Sequence, residues 1–313
     1  SLFMERFIER AKHVEVQILA DSYGQVMHLY ERDCSIQRRY QKVVEVAPAE
    51  TISLKLRKEL YEASIHLAQK IGYVNAGTVE FLVDLDREFW YFMEFNPRIQ
   101  VEHTVTEMVT GIDLVRSQIL ISQGCRLHDP PLSLPLQKQL PLYGTAVQCR
   151  ITTEDPQNGF APDFGKITTY RSPSGFGLRL DGGTTAAGAV LVPFYDSLLV
   201  KATAWGRTFK EACQRMDRSL REFRIRGVKT NIPFLENVIN HPKFQDGDST
   251  WVATPGESSP PECNCVSNTF DDCGNCWVQY GDVPFNPDYE GMHPALWNYT
   301  GCLENNWGDD SRL

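Results

Sequence analysis

The chain has 313 residues, a formal net charge of −9, and 42% apolar and 23% charged residues, enough for two domains and a sizeable core. No apolar run approaches the roughly 20 residues of a membrane helix, the first residues SLFMERFIERAKHVEV lack a signal-peptide layout, and no basic stripe points to nucleic acid. The charge is uneven: Trp251 to Leu313 hold ten acids and one base, Arg312, with five of the nine cysteines, four of the six tryptophans and no lysine. So abrupt a shift marks a boundary near residue 250.

In chain order, the first strand pattern is already under way at His13, which reads as a chain whose N-terminal part is absent. Val14, Val16 and Ile18 alternate with His13, Glu15 and Gln17; after the turn Asp21-Ser22-Tyr23-Gly24 a second strand runs from Val26 to about Glu31, a hairpin. RDCSIQRRYQKVVEVAPAE (32–50) is polar and basic without a clean period. Residues 54–71 are helical, with Leu56, Leu60, Ala63, Leu67 and Ile71 on one stripe and Gly72 ending the run. Thr78 to Val83 and Phe89 to Phe95 form a second hairpin. A loop centred on Arg87 sets Glu80 and Glu94 opposite one another.

DPPLSLPLQKQLPL (129–142) reads as an inter-domain connection. Short strands follow at 145–152, 165–171, 177–180 and 198–204. A capping box, Thr208 with Glu211, opens a helix carrying Phe209, Ala212, Met216, Leu220 and Phe223, and another begins at Asn231-Ile232-Pro233. Cys34, Cys125, Cys149 and Cys213 are widely spaced, as free thiols of a reducing compartment are.

The densest chemistry is MEFNPRIQVEH (93–103). Read as one strand, it puts Glu94, Asn96, Arg98, Gln100 and Glu102 on one face. Glu80 is the only charge in TVEFLV, and a buried lone carboxylate must be paired or hold a metal. With Glu94 and Asn96 it makes a hard-oxygen set suited to Mg²⁺ or Mn²⁺; the bland alternative is a salt-bridged patch with Arg98. Arg98 offers a fork for an oxyanion, Gln100 a further donor, and Glu102 a candidate general base. Gln37 to Lys42 supply cations, or a solvated basic turn. Arg150 sits at a strand centre, either functional or paired with Glu154 or Asp155.

The segments KHVEVQ, ERDCSIQRRYQK, AGTVEFL, MEFNPRIQVEHTVTEM and VQCRITTEDP resemble the biotin carboxylase component of biotin-dependent carboxylases, which are ATP-grasp enzymes. FGKITTYRSPSGFGLRLDGG, YDSLLVKATAWGRT and LREFRIRGVKTNIPFLENVINHPKF resemble the pyruvate carboxylase branch in particular. The resemblance runs from residue 1 to about 247. It implies an α/β (α+β) fold: the C-terminal lobe of an ATP-grasp domain (1–128), a linker (129–142), the biotin carboxylase C-terminal domain (143–250) and an unrelated tail (251–313).

It also implies a ligase activity in which ATP activates bicarbonate as carboxyphosphate, which delivers CO₂ to biotin. Glu80 and Glu94 would then hold Mg²⁺ (or Mn²⁺) on the ATP phosphates, with Asn96 assisting. Glu5 and Ile8 would meet adenine, and His13, Gln37 and Tyr40 would lie near ribose and phosphates. Lys42, Arg98, Gln100 and the Val101 backbone would cradle bicarbonate, Glu102 would deprotonate it, and Arg150 would stabilise the biotin enolate. Asp196 lies where the family often builds its dimer contact. The expected partners are ATP, bicarbonate, a biotinyl carrier domain and a second copy of the chain, in the cytoplasm or, in a eukaryote, the mitochondrial matrix.

Three departures stand out. The family's glycine-rich lid is not among these residues, which reads as half of its domain being absent; Tyr40 stands where the family usually has histidine or another small polar group; no Met-Lys-Met segment is present to carry biotin. Cys263, Cys265, Cys273 and Cys276 admit a zinc site, but an acidic segment with little structure is the favoured reading of the tail. Competing readings are a truncated, non-catalytic chain that only associates with partner subunits, the biotin carboxylase part of an acyl-CoA carboxylase, and another ATP-grasp ligase.

Overall fold

The computed structural model describes Ile8 and residues 10–183 and 185–249. Glu5 and the whole cysteine-rich tail, with its zinc alternative, lie outside the described residues.

One antiparallel sheet organises the chain. Its strands are β1 (Ala11–Ala20), β2 (Val26–Arg38), β3 (Gln41–Ala47), β4 (Asn75–Asp84), β5 (Phe89–Asn96), β6 (Thr145–Thr152), β7 (Leu178–Gly182) and β8 (Leu198–Gly206), in the spatial order β7-β8-β6-β3-β2-β1-β4-β5. Every neighbouring pair is antiparallel. The sheet therefore runs without interruption from the strands before residue 129 into those after it.

The basic stretch at 32–50, unreadable as a period, is the far half of β2 together with β3. Two register shifts between Asp33 and Gln37 put its residues out of phase, and a bulge breaks the two-residue alternation that marks a strand. β5 stops at Asn96, so Arg98, Gln100 and Glu102 do not continue it. Pro97 has no N–H for the ladder, and Arg98 N turns back to Asn96 O at 2.9 Å. Glu102 instead stands at the position just before helix α2 (His103–Thr110), with no capping bond from its side chain.

Helix α1 (Leu54–Lys70) begins where Ser53 accepts from Leu56 N, and buries Leu56, Leu60, Ser64 and Ala68. Ile71, expected on that stripe, is 55% exposed beyond the helix end. α1 covers Val14, Val16, Val79, Phe81 and Val83, the apolar parity of β1 and β4. That leaves His13, Glu15 and Glu80 on the opposite face. Helix α3 (Leu114–Ser122) closes a smaller cluster in which Leu132 and Leu140 of the 129–142 segment pack with Leu114 and Ile121. The Gln137 amide also bonds the His28 backbone at 3.0 and 3.1 Å. Those leucines make the segment part of the core rather than a free tether.

The largest core lies under β6 and β8, covered by α4 (Phe209–Glu222) and α5 (Ile232–Asn240). Thr208 accepts from Glu211 N as expected, but the Glu211 carboxylate takes the N–H of Arg207 rather than of Thr208. Among the described residues no helix is long and apolar enough to cross a membrane.

Candidate active site

Strand register builds the site. Glu15 lies opposite Arg32 on one side and Glu80 on the other, and Glu80 lies opposite Glu94. Arg32, Glu15, Glu80 and Glu94 thus form one row across β2, β1, β4 and β5. Like charges placed directly opposite destabilise a sheet, so three neighbouring glutamates need counterions.

Lys42, from β3, supplies the central one. Its Nζ donates to Glu15 Oε2 at 2.6 Å, Glu80 Oε1 at 2.8 Å and Glu102 Oε1 at 2.8 Å. Burial disfavours the ammonium, but the surrounding carboxylates more than offset this and raise the Lys42 pKa above its ordinary value. Burial also works against charge on Glu80. The hydrogen bond from His13 and the Lys42 ammonium outweigh it and hold its carboxyl well below the usual 4.5. Glu15 is lowered likewise, against complete burial, by Arg32 and Lys42.

His13 Nε2 meets Glu80 Oε2 at 2.7 Å, and its Nδ1 meets Gln37 Nε2 at 2.7 Å. An amide NH₂ only donates, so Nδ1 accepts and the proton sits on Nε2. Gln100 Nε2 donates to Glu80 Oε1 at 2.7 Å, and Lys201 Nζ donates to the Val101 carbonyl at 2.9 Å. Glu102, 2% exposed, faces Lys42 with one oxygen and Arg150 Nη2, at 3.0 Å, with the other. Arg150 Nε holds the fully buried Glu45 at 2.5 Å. The acids that Arg150 meets are therefore Glu45 and Glu102, not Glu154 or Asp155: Glu154 bonds Thr152 and Ser197, and Asp155 pairs with Lys229.

His13, Gln37, Lys42, Glu80, Glu94, Asn96, Gln100, Glu102 and Arg150 are thus joined by direct hydrogen bonds. Arg98 and Tyr40 are not. Arg98 is exposed and its Nη1 bonds Ile99 O at 3.2 Å. Tyr40 sits 97% exposed in the β2–β3 turn, at φ +63° after Arg39 at φ +49°. Ile8 is buried at 9% exposure. Sequence reasoning missed Glu15, Arg32, Glu45 and Lys201 as members of the cluster. The polar parity His13-Glu15-Gln17 was the available signal for the first of these.

A divalent cation fits at one end. Asn96 Nδ2 lies 3.0 Å from Glu80 Oε1 and 3.1 Å from Glu94 Oε1, so both carboxylates converge on one electropositive point. Turning that amide by half a rotation presents its oxygen instead, completing a hard-oxygen set. Charge agrees: Glu15, Glu45, Glu80 and Glu102 face the permanent cations Arg32, Lys42 and Arg150, an excess of one negative charge before Glu94 is counted. The groupings His13-Glu15-Glu80 and Glu15-Cys34-Glu102 also come within ligand reach of one another, but Lys42 and Arg32 already neutralise them.

Residues 1–129 match the family of the carbamoyl-phosphate synthase L chain ATP binding domain, and residues 148–253 that of the biotin carboxylase C-terminal domain. Pyruvate carboxylase of Bacillus subtilis is 55% identical over 82% of the chain, which spans 22% of that relative's length. Pyruvate carboxylase of Staphylococcus aureus is 50% identical over 92% of the chain and 26% of its own length. An alignment of that extent continues beyond residue 253, into a tail whose sequence alone suggests no relative. Among solved structures, the biotin carboxylase domain dimer of Hydrogenobacter thermophilus 2-oxoglutarate carboxylase, in complex with MgADP, ADP and bicarbonate, superposes with a TM-score of 0.73 at 44% identity. That match covers 78% of this chain and 52% of the other. The chain belongs to the biotin carboxylase region of the biotin-dependent carboxylases, and is similar over most of its length to pyruvate carboxylase.

Proposed function

We propose that this region carries out ATP- and bicarbonate-dependent carboxylation of biotin, the first half-reaction of a pyruvate carboxylase. The observation that carries the reading is the three-way clasp of Lys42 on Glu15, Glu80 and Glu102, which sets an anion-holding ammonium between a cation-binding pair and a candidate base. The relative solved with MgADP and bicarbonate supports it.

Glu80, Glu94 and the Asn96 oxygen would hold Mg²⁺ or Mn²⁺, which when bound would neutralise the ATP phosphates. His13 and Gln37 line the nucleotide end; Glu5, Ile8 and Tyr40 belong to it by resemblance. Lys42, Gln100 and the Val101 N–H orient bicarbonate, while Lys201 holds the next peptide through the Val101 carbonyl. Arg98 belongs to the anion's surroundings by resemblance, though here it is exposed and bonds Ile99 O. Glu102, held between Lys42 and Arg150, takes the bicarbonate proton. Arg150, held by Glu45, offers its guanidinium to the negative charge that develops on the biotin ring oxygen.

Residues 1–128 and 143–250 act as two lobes built on one sheet. A biotinyl carrier domain supplies biotin. A second copy of the chain is the further partner: Phe194 and Tyr195, 86% and 81% exposed beside Asp196, are apolar surface for it to cover. The free thiols Cys34, Cys125, Cys149 and Cys213 fit the cytosol or mitochondrial matrix.

The test is ATP cleavage by the chain. The expected result is phosphate release that requires bicarbonate and rises with free biotin. Release indifferent to bicarbonate would assign the site to another ATP-grasp ligase, and no release in its presence would favour the non-catalytic alternative.

A further inference from the structure

We propose that Arg32 is a positioning residue that sets the bicarbonate-holding groups Lys42 and Gln100 from beneath the cleft; this rests on the bicarbonate reading above. Arg32 is fully buried, and all five of its N–H groups are used. Nε donates to Glu15 Oε1 at 2.5 Å, Nη1 to Gln17 Oε1 at 2.8 Å and Thr106 Oγ1 at 3.0 Å, and Nη2 to Thr78 Oγ1 and Gln100 Oε1, both at 3.2 Å.

Two of these bonds point at the site. By taking the Gln100 carbonyl oxygen, Arg32 fixes which end of that amide faces Glu80, so the NH₂, the end that can donate to an anion, stays on the side of the Lys42 cluster. By taking Glu15 Oε1, it leaves Oε2 for Lys42 and aims the ammonium at Glu80 and Glu102. The other bonds anchor the guanidinium to β1 through Gln17, β4 through Thr78 and α2 through Thr106. One planar fork thereby holds two strands, a helix and both donors in register. Lysine carries the same charge but cannot reproduce five fixed donors.

The experiment compares the chain with Arg32→Lys and with Thr106→Val, which removes the α2 anchor of the guanidinium. Bicarbonate affinity is read from ¹³C-bicarbonate NMR titration and ADP affinity from calorimetry, both without turnover. Arg32→Lys is expected to weaken bicarbonate by about tenfold, the usual size for a group that orients a ligand-holding residue, while ADP affinity stays within about twofold. Thr106→Val is expected to weaken bicarbonate by about threefold, the loss of one hydrogen bond, and it carries the test where Arg32→Lys does not fold.

Equal bicarbonate affinity in the folded variants, or parallel losses for bicarbonate and ADP, overturns the positioning role. An unsubstituted chain that binds no bicarbonate overturns the reading beneath it.

Discussion

Replacing Lys42 by methionine is expected to cost about 3–5 kcal/mol of stability, the penalty for leaving buried charges without their partner. Three carboxylates share this one ammonium, and their side chains are 0%, 5% and 3% exposed for Glu15, Glu80 and Glu102. Arg32 still serves Glu15 and Arg150 still serves Glu102, so the loss falls mainly on Glu80. At about 2–4 °C per kcal/mol for a domain of this size, thermal melting resolves it easily.

The pH dependence follows from Glu80. Its folded-state pKa lies below 4.5, so the carboxylate stabilises the fold above that value and the contribution fades as pH falls through the folded pKa. Lys42→Met shrinks the depression. The gap in Tm between the two proteins is therefore expected to be widest near neutrality and to narrow below about pH 4. A gap independent of pH would mean that Lys42 stabilises through packing of its stem, not through its charge.

Glu102→Gln is expected to lower bicarbonate-dependent ATP cleavage by about 10²–10⁴-fold, the contribution of a positioned general base, with the KM for ATP within about twofold. Glutamine keeps the shape but cannot take a proton. The fold tolerates the change, because Arg150 retains Glu45 and Lys42 retains Glu15 and Glu80. An equal fall in the nucleotide-binding and chemical terms would place Glu102 in the architecture instead of the reaction.

Local pattern carried much of this site. The hairpin about Arg87 set Glu80 against Glu94 because its two strands are close in sequence, and the register agrees. The polar parity of β1 marked the face that carries His13 and Glu15. What stayed hidden was long-range pairing through an irregular strand. β2 shifts register between Asp33 and Gln37, so period alone cannot show that Lys42 reaches Glu15. Arg150 meets Glu45 across 105 positions, a distance over which no local rule acts.

The reading of 94–102 as one strand failed at Pro97, a residue that cannot donate to a ladder. The cluster survives that failure for Gln100 and Glu102, because the turn and the start of α2 deliver both to Lys42 and Glu80. It does not survive for Arg98, which the turn leaves exposed. Residue types thus named the candidates, while turns and bulges decided which of them converge.

The most direct test of a shared cleft is the line width of ¹³C-bicarbonate in the presence of Mn²⁺ and ADP. On the proposed reading, a paramagnetic ion held by Glu80, Glu94 and Asn96 would lie beside an anion held by Lys42 and Gln100, so the signal is expected to broaden only with chain, metal and nucleotide together. The broadening is expected to vanish in Glu94→Gln. A bicarbonate signal that shows binding yet stays sharp with the metal site filled would contradict the shared cleft outright.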